Sequence, residues 1–167
     1  MNPETCIEEL GIRLPDAAPN IASYARSVWY GDILYVSGQL PLLDAKLVHS
    51  GKVGVSVSCD EAVVAARQCA INAIAALKAE AGDLSRVTKI IKLTGYVASA
   101  SSFTRQSQVI DGASDLFVAV FGEAGRHARS AVGVASLPLD APVEIELMVA
   151  LGREHPYGVD CPRAGGV

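Results

Sequence analysis

Three side chains in the closing third of the sequence are of types that could grip and hydrolyse a small anion: Arg129, Glu144 and Glu146. Arg129 stands in the segment HARSAVGV, among small and apolar residues. An ionised guanidinium is costly there unless an anion meets it. Its planar pair of donors matches a carboxylate, so a ligand carboxylate and an internal Glu are both possible answers. Glu144 and Glu146 alternate with Val143, Ile145 and Leu147. A period of two puts both carboxylates on one strand face and the apolar residues on the other. One carboxylate beside Arg129 would satisfy both charges. If the two segments pair as strands or meet across an interface, they form an anion clamp with a carboxylate able to hold water or shuttle protons. Failing that, Glu146, and less readily Glu144, is a solvated strand edge.

Ser37-Gly38-Gln39 closes an apolar run. Glycine there permits close backbone approach and the serine hydroxyl can take part in ligand binding, though an ordinary turn has the same composition. Tyr24, Trp29, Tyr30 and Tyr35 cluster nearby; one could close a small pocket, core packing being the commoner fate of aromatics. His49 and His127 have no Ser or Cys partner at motif spacing, which leaves a nucleophile triad unsupported, and GASDL and GEAG lack the lysine and spacing of a phosphate loop. Cys6, Cys59, Cys69 and Cys161 form no CxxC pair and no set with His at zinc-finger spacing, so neither a metal site nor a redox motif is signalled and reduced, unrelated thiols are expected.

The elements that must position these groups fit one domain. With 167 residues, half of them apolar, the chain can bury a core without metal or disulfide staples. A net charge of -4 with scattered Lys and Arg argues against a phosphate-neutralising surface, so no nucleic acid partner is expected. The start, MNPETCIEELGIRLP, is not a secretory signal, and no uninterrupted apolar run approaches the roughly 18 residues that span a bilayer. A cytoplasmic location without membrane attachment is the expectation, the alanine-rich segment 62–81 being read as a packed amphipathic helix.

PDAAPN, residues 15–20, is a connector between a short N-terminal helix and the first strand. The run ARSVWYGDILYVSGQLPL is a hairpin turning at Gly31-Asp32, extended by a short strand in KLVHSGKVG. Ser58 or Asp60 can cap the helix that follows, and Gly82 stops it. VTKIIKLTGYVAS is a central strand, SASSFTRQSQV a polar loop, and residues 111–121 a second long helix. ARSAVGVASL and APVEIELMVALG close the sheet as two strands around Pro138. The expected fold is α+β, with a mixed sheet of about six strands and two long helices on one face. The other face would stay apolar and open, a surface for self-association. The tail REHPYGVDCPRAGGV shows no periodicity and reads as a flexible end.

YVSGQLPL, DLFVAVFGEAGRHARSAVGVASLP and VEIELMVAL together resemble the RidA/YjgF family of reactive-intermediate deaminases, formerly called L-PSP endoribonuclease-like proteins. The most specific piece is the closing signature: an Arg at a strand start, a small-residue strand, Leu-Pro, a short turn and Glu-Ile-Glu. The resemblance spans residues 21–152, leaving 1–20 as an N-terminal extension and 153–167 as a tail. It implies a chorismate-mutase-like fold assembled as a homotrimeric barrel, with ligand clefts between neighbouring subunits and no metal or organic cofactor. It implies that Arg129 clamps the carboxylate of an enamine or imine derived from an amino acid, and that Glu144 places the water that releases ammonia and a 2-keto acid. Tyr24, and Ser37 with Gly38, match cleft-lining positions. Ala131 stands where many of these deaminases carry cysteine, and the loop in 99–115 is longer than in compact members. The alternative the family allows is a non-catalytic trimer that binds small carboxylates or serves as a regulator. Ribonuclease action, the older label, finds neither a basic groove nor a His pair here.

Overall fold

A computed structural model describes residues 2–16 and 24–152. Its elements run α1 (Pro3–Glu9), β1 (Ser27–Tyr30), β2 (Ile33–Gln39), β3 (Leu42–Leu43), β4 (Lys46–Leu47), α2 (Cys59–Ala81), β5 (Val87–Ala98), α3 (Gln106–Phe121), β6 (Ala128–Val134) and β7 (Val143–Leu151). Five strands form one mixed sheet in the order β1-β2-β7-β5-β6, antiparallel except for the parallel pair β5-β6.

The hairpin turns at Gly31, φ 59°, a left-handed value that glycine adopts without a Cβ penalty. Leu34 and Val36 of β2, Ile90 and Leu93 of β5, and the alternate residues Val143, Ile145, Leu147, Val149 and Leu151 of β7 are buried beneath α2 and α3. A capping box starts α2: Ser58 Oγ accepts from the Glu61 amide at 3.2 Å, and Glu61 Oε2 accepts from the Ser58 amide at 2.8 Å. Gly82, φ 74°, ends it. By length and composition α2 could cross a membrane, yet over half of its apolar window, 56%, is buried inside the protein, as befits a core helix. The opposite sheet face leaves Val28, Tyr30, Tyr35 and Val132 exposed.

Two features depart from the sequence reading. The sheet has five strands, because KLVHSGKVG does not extend the hairpin: Lys46–Leu47 pairs with Leu42–Leu43 as a separate two-stranded ribbon. The stretch read as a polar loop becomes helical at Gln106, since Val109 and Ile110 continue the apolar stripe of Ala113, Leu116, Phe117 and Val120 backward by a turn. Gly112 lies inside α3 because a Cβ there would strike the Val63 carbonyl of α2. The short N-terminal helix expected from the sequence forms as α1 and lays Ile7 into the core. Residues 17–23 of the connector, and the whole tail with Cys161, lie outside the described residues.

Candidate functional site

Strand β5 separates β6 from β7, so Arg129 and Glu144 are not strand neighbours. They also project from opposite sides of the sheet. Arg129 stands opposite Leu93, which is buried on the helix side, and reaches α3. Glu144 stands opposite Tyr96 and alternates with buried Val143 and Ile145, so it projects from the other face. Of the two answers open for Arg129, a ligand carboxylate or an internal Glu, the internal anion is instead Asp111 of α3, whose Oδ1 accepts from Arg129 Nη1 at 2.7 Å.

A polar chain backs this arginine. Nη1 also donates to Ser114 Oγ at 3.0 Å, and Ser114 Oγ lies 3.1 Å from His127 Nε2. His127 Nδ1 is 2.6 Å from the Gly125 carbonyl. A carbonyl only accepts, so Nδ1 carries the proton and Nε2 of the neutral ring accepts from the Ser114 hydroxyl. Burial holds the His127 pKa below the ordinary histidine range; the Gly125 carbonyl opposes this, and the charges of Arg129 and Lys89 reinforce it. The Phe117 ring meets the imidazole edge-on at 6.0 Å. Sequence spacing suggested no Ser partner for His127, and the fold corrects that by bringing Ser114 back from 13 residues away. Arg129 Nε and Nη2 donate to no group among the described residues. Ala131, two residues on and on the same face of β6, packs partly against the core.

The glutamate side is built on close approach. The Glu144 carboxylate occupies the space that a Cβ on Gly38 would fill. Burial, then the charge of Glu146, pushes the Glu144 carboxyl above the usual carboxylate range. Tyr96 Oη donates to Glu146 Oε1 at 3.0 Å, and burial followed by that hydrogen bond raises the phenol. Ser37 Oγ donates to the Ala25 carbonyl at 2.8 Å, tying the segment after Tyr24 to the end of β2. Tyr24 itself is 66% exposed. One side of the sheet thus gathers Glu144, Gly38 and Ser37, with Tyr24 tethered beside them, and the other gathers Arg129 and Ala131.

Asp111, Ser114 and His127 are the groups that sequence reasoning missed. Asp111 and Ser114, three residues apart on one helix face, are a readable signal already within the helix expected over residues 111–121. His49 pairs instead with Glu61 at the start of α2, at 3.8 Å. Cys6, Cys59 and Cys69 are free and buried, and burial raises the Cys69 thiol well above its usual range.

The sheet order, with a parallel edge pair and two long helices on one face, defines a chorismate-mutase-like α+β protein. The family model described as "YjgF/chorismate_mutase-like, putative endoribonuclease" matches residues 4–157. The chain belongs to the YjgF/RidA family. It is 47% identical over 148 residues to protein TCP17 of Trypanosoma cruzi, covering 88% of this chain and 92% of that one. The crystal structure of Atu1372, a protein of unknown function from Agrobacterium tumefaciens, superposes with a TM-score of 0.84 at 47% identity, covering 89% of this chain and 92% of the other. A 2-iminobutanoate/2-iminopropanoate deaminase of Dermatophagoides farinae is 29% identical over 84% of this chain and 94% of its own.

Proposed function

We propose that this protein is a hydrolytic deaminase of imines and enamines derived from amino acids, acting in the cytoplasm as a homotrimer whose clefts lie between neighbouring copies. The observation that carries this reading is the state of Arg129. Its Nη1 is anchored by Asp111 and Ser114, while Nε and Nη2 donate to no described group, leaving a fork edge matched to a substrate carboxylate. The split of the residues between two sheet faces supports a shared cleft, because the arginine side of one copy needs a glutamate side that its own chain turns away.

In the mechanism, Arg129 fixes the substrate carboxylate and so orients the C=N carbon. Glu144 of the neighbouring copy, in its ionised form, takes a proton from the water whose oxygen attacks that carbon and passes it to the imine nitrogen. The tetrahedral adduct then collapses: its hydroxyl proton moves through Glu144 to the nitrogen as the C–N bond breaks, forming the 2-keto acid and releasing ammonia. A raised carboxyl pKa brings Glu144 nearer the operating pH, where a general base is most effective. Imines also hydrolyse spontaneously, so orientation supplies much of what is needed, each factor of ten in rate corresponding to about 1.4 kcal/mol.

A non-catalytic carboxylate-binding trimer is the second reading, favoured by Ala131 in place of a thiol and by the carboxylate already resident on Arg129. The decisive experiment generates imines in situ with an amino-acid oxidase and follows keto acid and ammonia. Acceleration by the wild type, lost in Arg129→Ala and Glu144→Gln, is expected. No acceleration with any imine, by a properly assembled protein that still binds keto acids, would leave the binding reading standing.

A further inference from the structure

Of the two side chains that anchor Arg129 Nη1, Asp111 is the one it touches more closely. Its carboxylate sits on Nη1 at 2.7 Å, with the Asp111 side chain 53% exposed and that of Arg129 24% exposed. The pair is thus a resident anion at the mouth of an anion clamp. Any ligand carboxylate held by Nε and Nη2 would share the same guanidinium with it.

We infer that Asp111 is the specificity-determining residue of the arginine half-site, admitting monocarboxylates with neutral side chains and rejecting dicarboxylates. This rests on the reading of Arg129 as the carboxylate clamp. Charge counting gives the reason. The single positive charge of Arg129 is balanced by Asp111 before a ligand arrives. A first carboxylate is still held, because a fork edge offers it two directed hydrogen bonds. A second carboxylate meets uncompensated negative charge. Two unit charges about 6 Å apart repel enough to weaken binding about threefold in bulk water and about a hundredfold near a protein surface; Asp111, half exposed, lies between these limits, at about tenfold.

The Ser114–His127 chain lets this be tested cleanly, since it holds Nη1 independently of Asp111. Asp111→Asn keeps an acceptor oxygen for Nη1 and removes only the charge.

The test measures binding of 2-oxopentanoate and 2-oxoglutarate, which differ by a terminal methyl against a carboxylate, to the full chain by calorimetry. Assembly state is matched by light scattering. The wild type should prefer 2-oxopentanoate by about tenfold. Asp111→Asn should bind both more tightly, the dicarboxylate gaining more, and narrow the preference to about twofold. Arg129→Ala should lose both ligands. An unchanged preference in Asp111→Asn, with binding still dependent on Arg129, would overturn the role of Asp111 and leave the clamp intact. Wild-type binding that is absent or indifferent to Arg129→Ala would overturn the clamp, and this inference with it. Loss of both ligands in Asp111→Asn would make Asp111 an orienting residue and likewise overturn the proposal. Asp111→Ser, a smaller uncharged replacement at the same exposed position, provides the same comparison if the asparagine variant folds poorly.

Discussion

Gly38→Ala is the sharpest perturbation available at the glutamate side. The new methyl would overlap the Glu144 carboxylate, and among the described residues its three nearest atoms all belong to that side chain. Gly38 is not in the left-handed region, so alanine brings no backbone strain. The far end of a flexible side chain must give way, at a cost of about 0.5–1.5 kcal/mol for an off-rotamer conformation. Replacing glycine in a strand returns roughly 0.5–1 kcal/mol. Stability should therefore change by less than about 1 kcal/mol. Activity should respond far more. Displacing a general base costs about a hundredfold or more in rate, equivalent to roughly 3 kcal/mol at the transition state. The assay pairs thermal melts with kcat/KM for imine hydrolysis, in wild-type and Glu144→Ala backgrounds. The loss should appear only where Glu144 is present, because the substitution acts through that carboxylate. An equal loss in both backgrounds, or wild-type kcat/KM in Gly38→Ala, would refute the claim that contact with Gly38 sets the working position of Glu144.

Other consequences follow from the same geometry. The folded-state pKa of Glu144 is raised above the ordinary glutamate value of 4.5, so its contribution to stability is fully present below that pH and lost as pH rises through the folded pKa. Glu144→Gln should thus raise the urea midpoint at pH 7 and leave it unchanged well below pH 4.5, whereas an equal gain at both would rule out the buried charge as its source. His127 has the opposite sign: its folded pKa lies below 6.5, so its contribution is present above 6.5 and is lost as pH falls through the folded value. His127→Gln should flatten that acid-side loss, and NMR titration of the imidazole should give a midpoint below 6.5. Gly112→Ala would drive a methyl into the Val63 carbonyl and separate α2 from α3. Overpacking of this kind costs about 1–3 kcal/mol, partly offset by the roughly 1 kcal/mol helix preference of alanine; a variant more stable than wild type in chemical denaturation would contradict the contact.

The parts of the fold that could be read from the sequence are those whose signals are local. Ser58 and Glu61 satisfy each other's amides three residues apart, which decides the cap between the two candidates Ser58 and Asp60, and Gly82 ends the same helix at a positive φ, so α2 is bounded by its own residues. The Gly31-Asp32 hairpin and the alternation of Val143 to Leu147 are equally self-contained. What was misread depends on partners distant in sequence. Polar residues mask the first turn of α3, and its apolar stripe becomes visible only when Val109 and Ile110 are counted as core. The segment around Lys46 has strand-like composition, but whether it extends the hairpin or folds back on Leu42–Leu43 is a matter of register, which no local pattern specifies.

The site shows the same division at a finer grain. The residue types were readable: an arginine among small neighbours, a strand glutamate, a glycine that admits close approach. Their sides were not, because pleat parity fixes which residues of one strand share a face and says nothing of how two strands separated by a third are phased. The small residues of HARSAVGV carried a clue. Ala131 and Gly133 share the face of Arg129, and the space beside Gly133 is taken by the Gln106 amide and Ser99. Smallness on that face reflects the helix covering it. A strand face thinned to admit a helix also directs its one long cation toward that helix, and the anion to look for beside Arg129 was an acidic residue one helical turn from a serine. Asp111 and Ser114 meet that description. Small residues around a lone arginine can thus signal the packing of a neighbouring element as readily as room for a ligand, and at Arg129 the donors divide between the two.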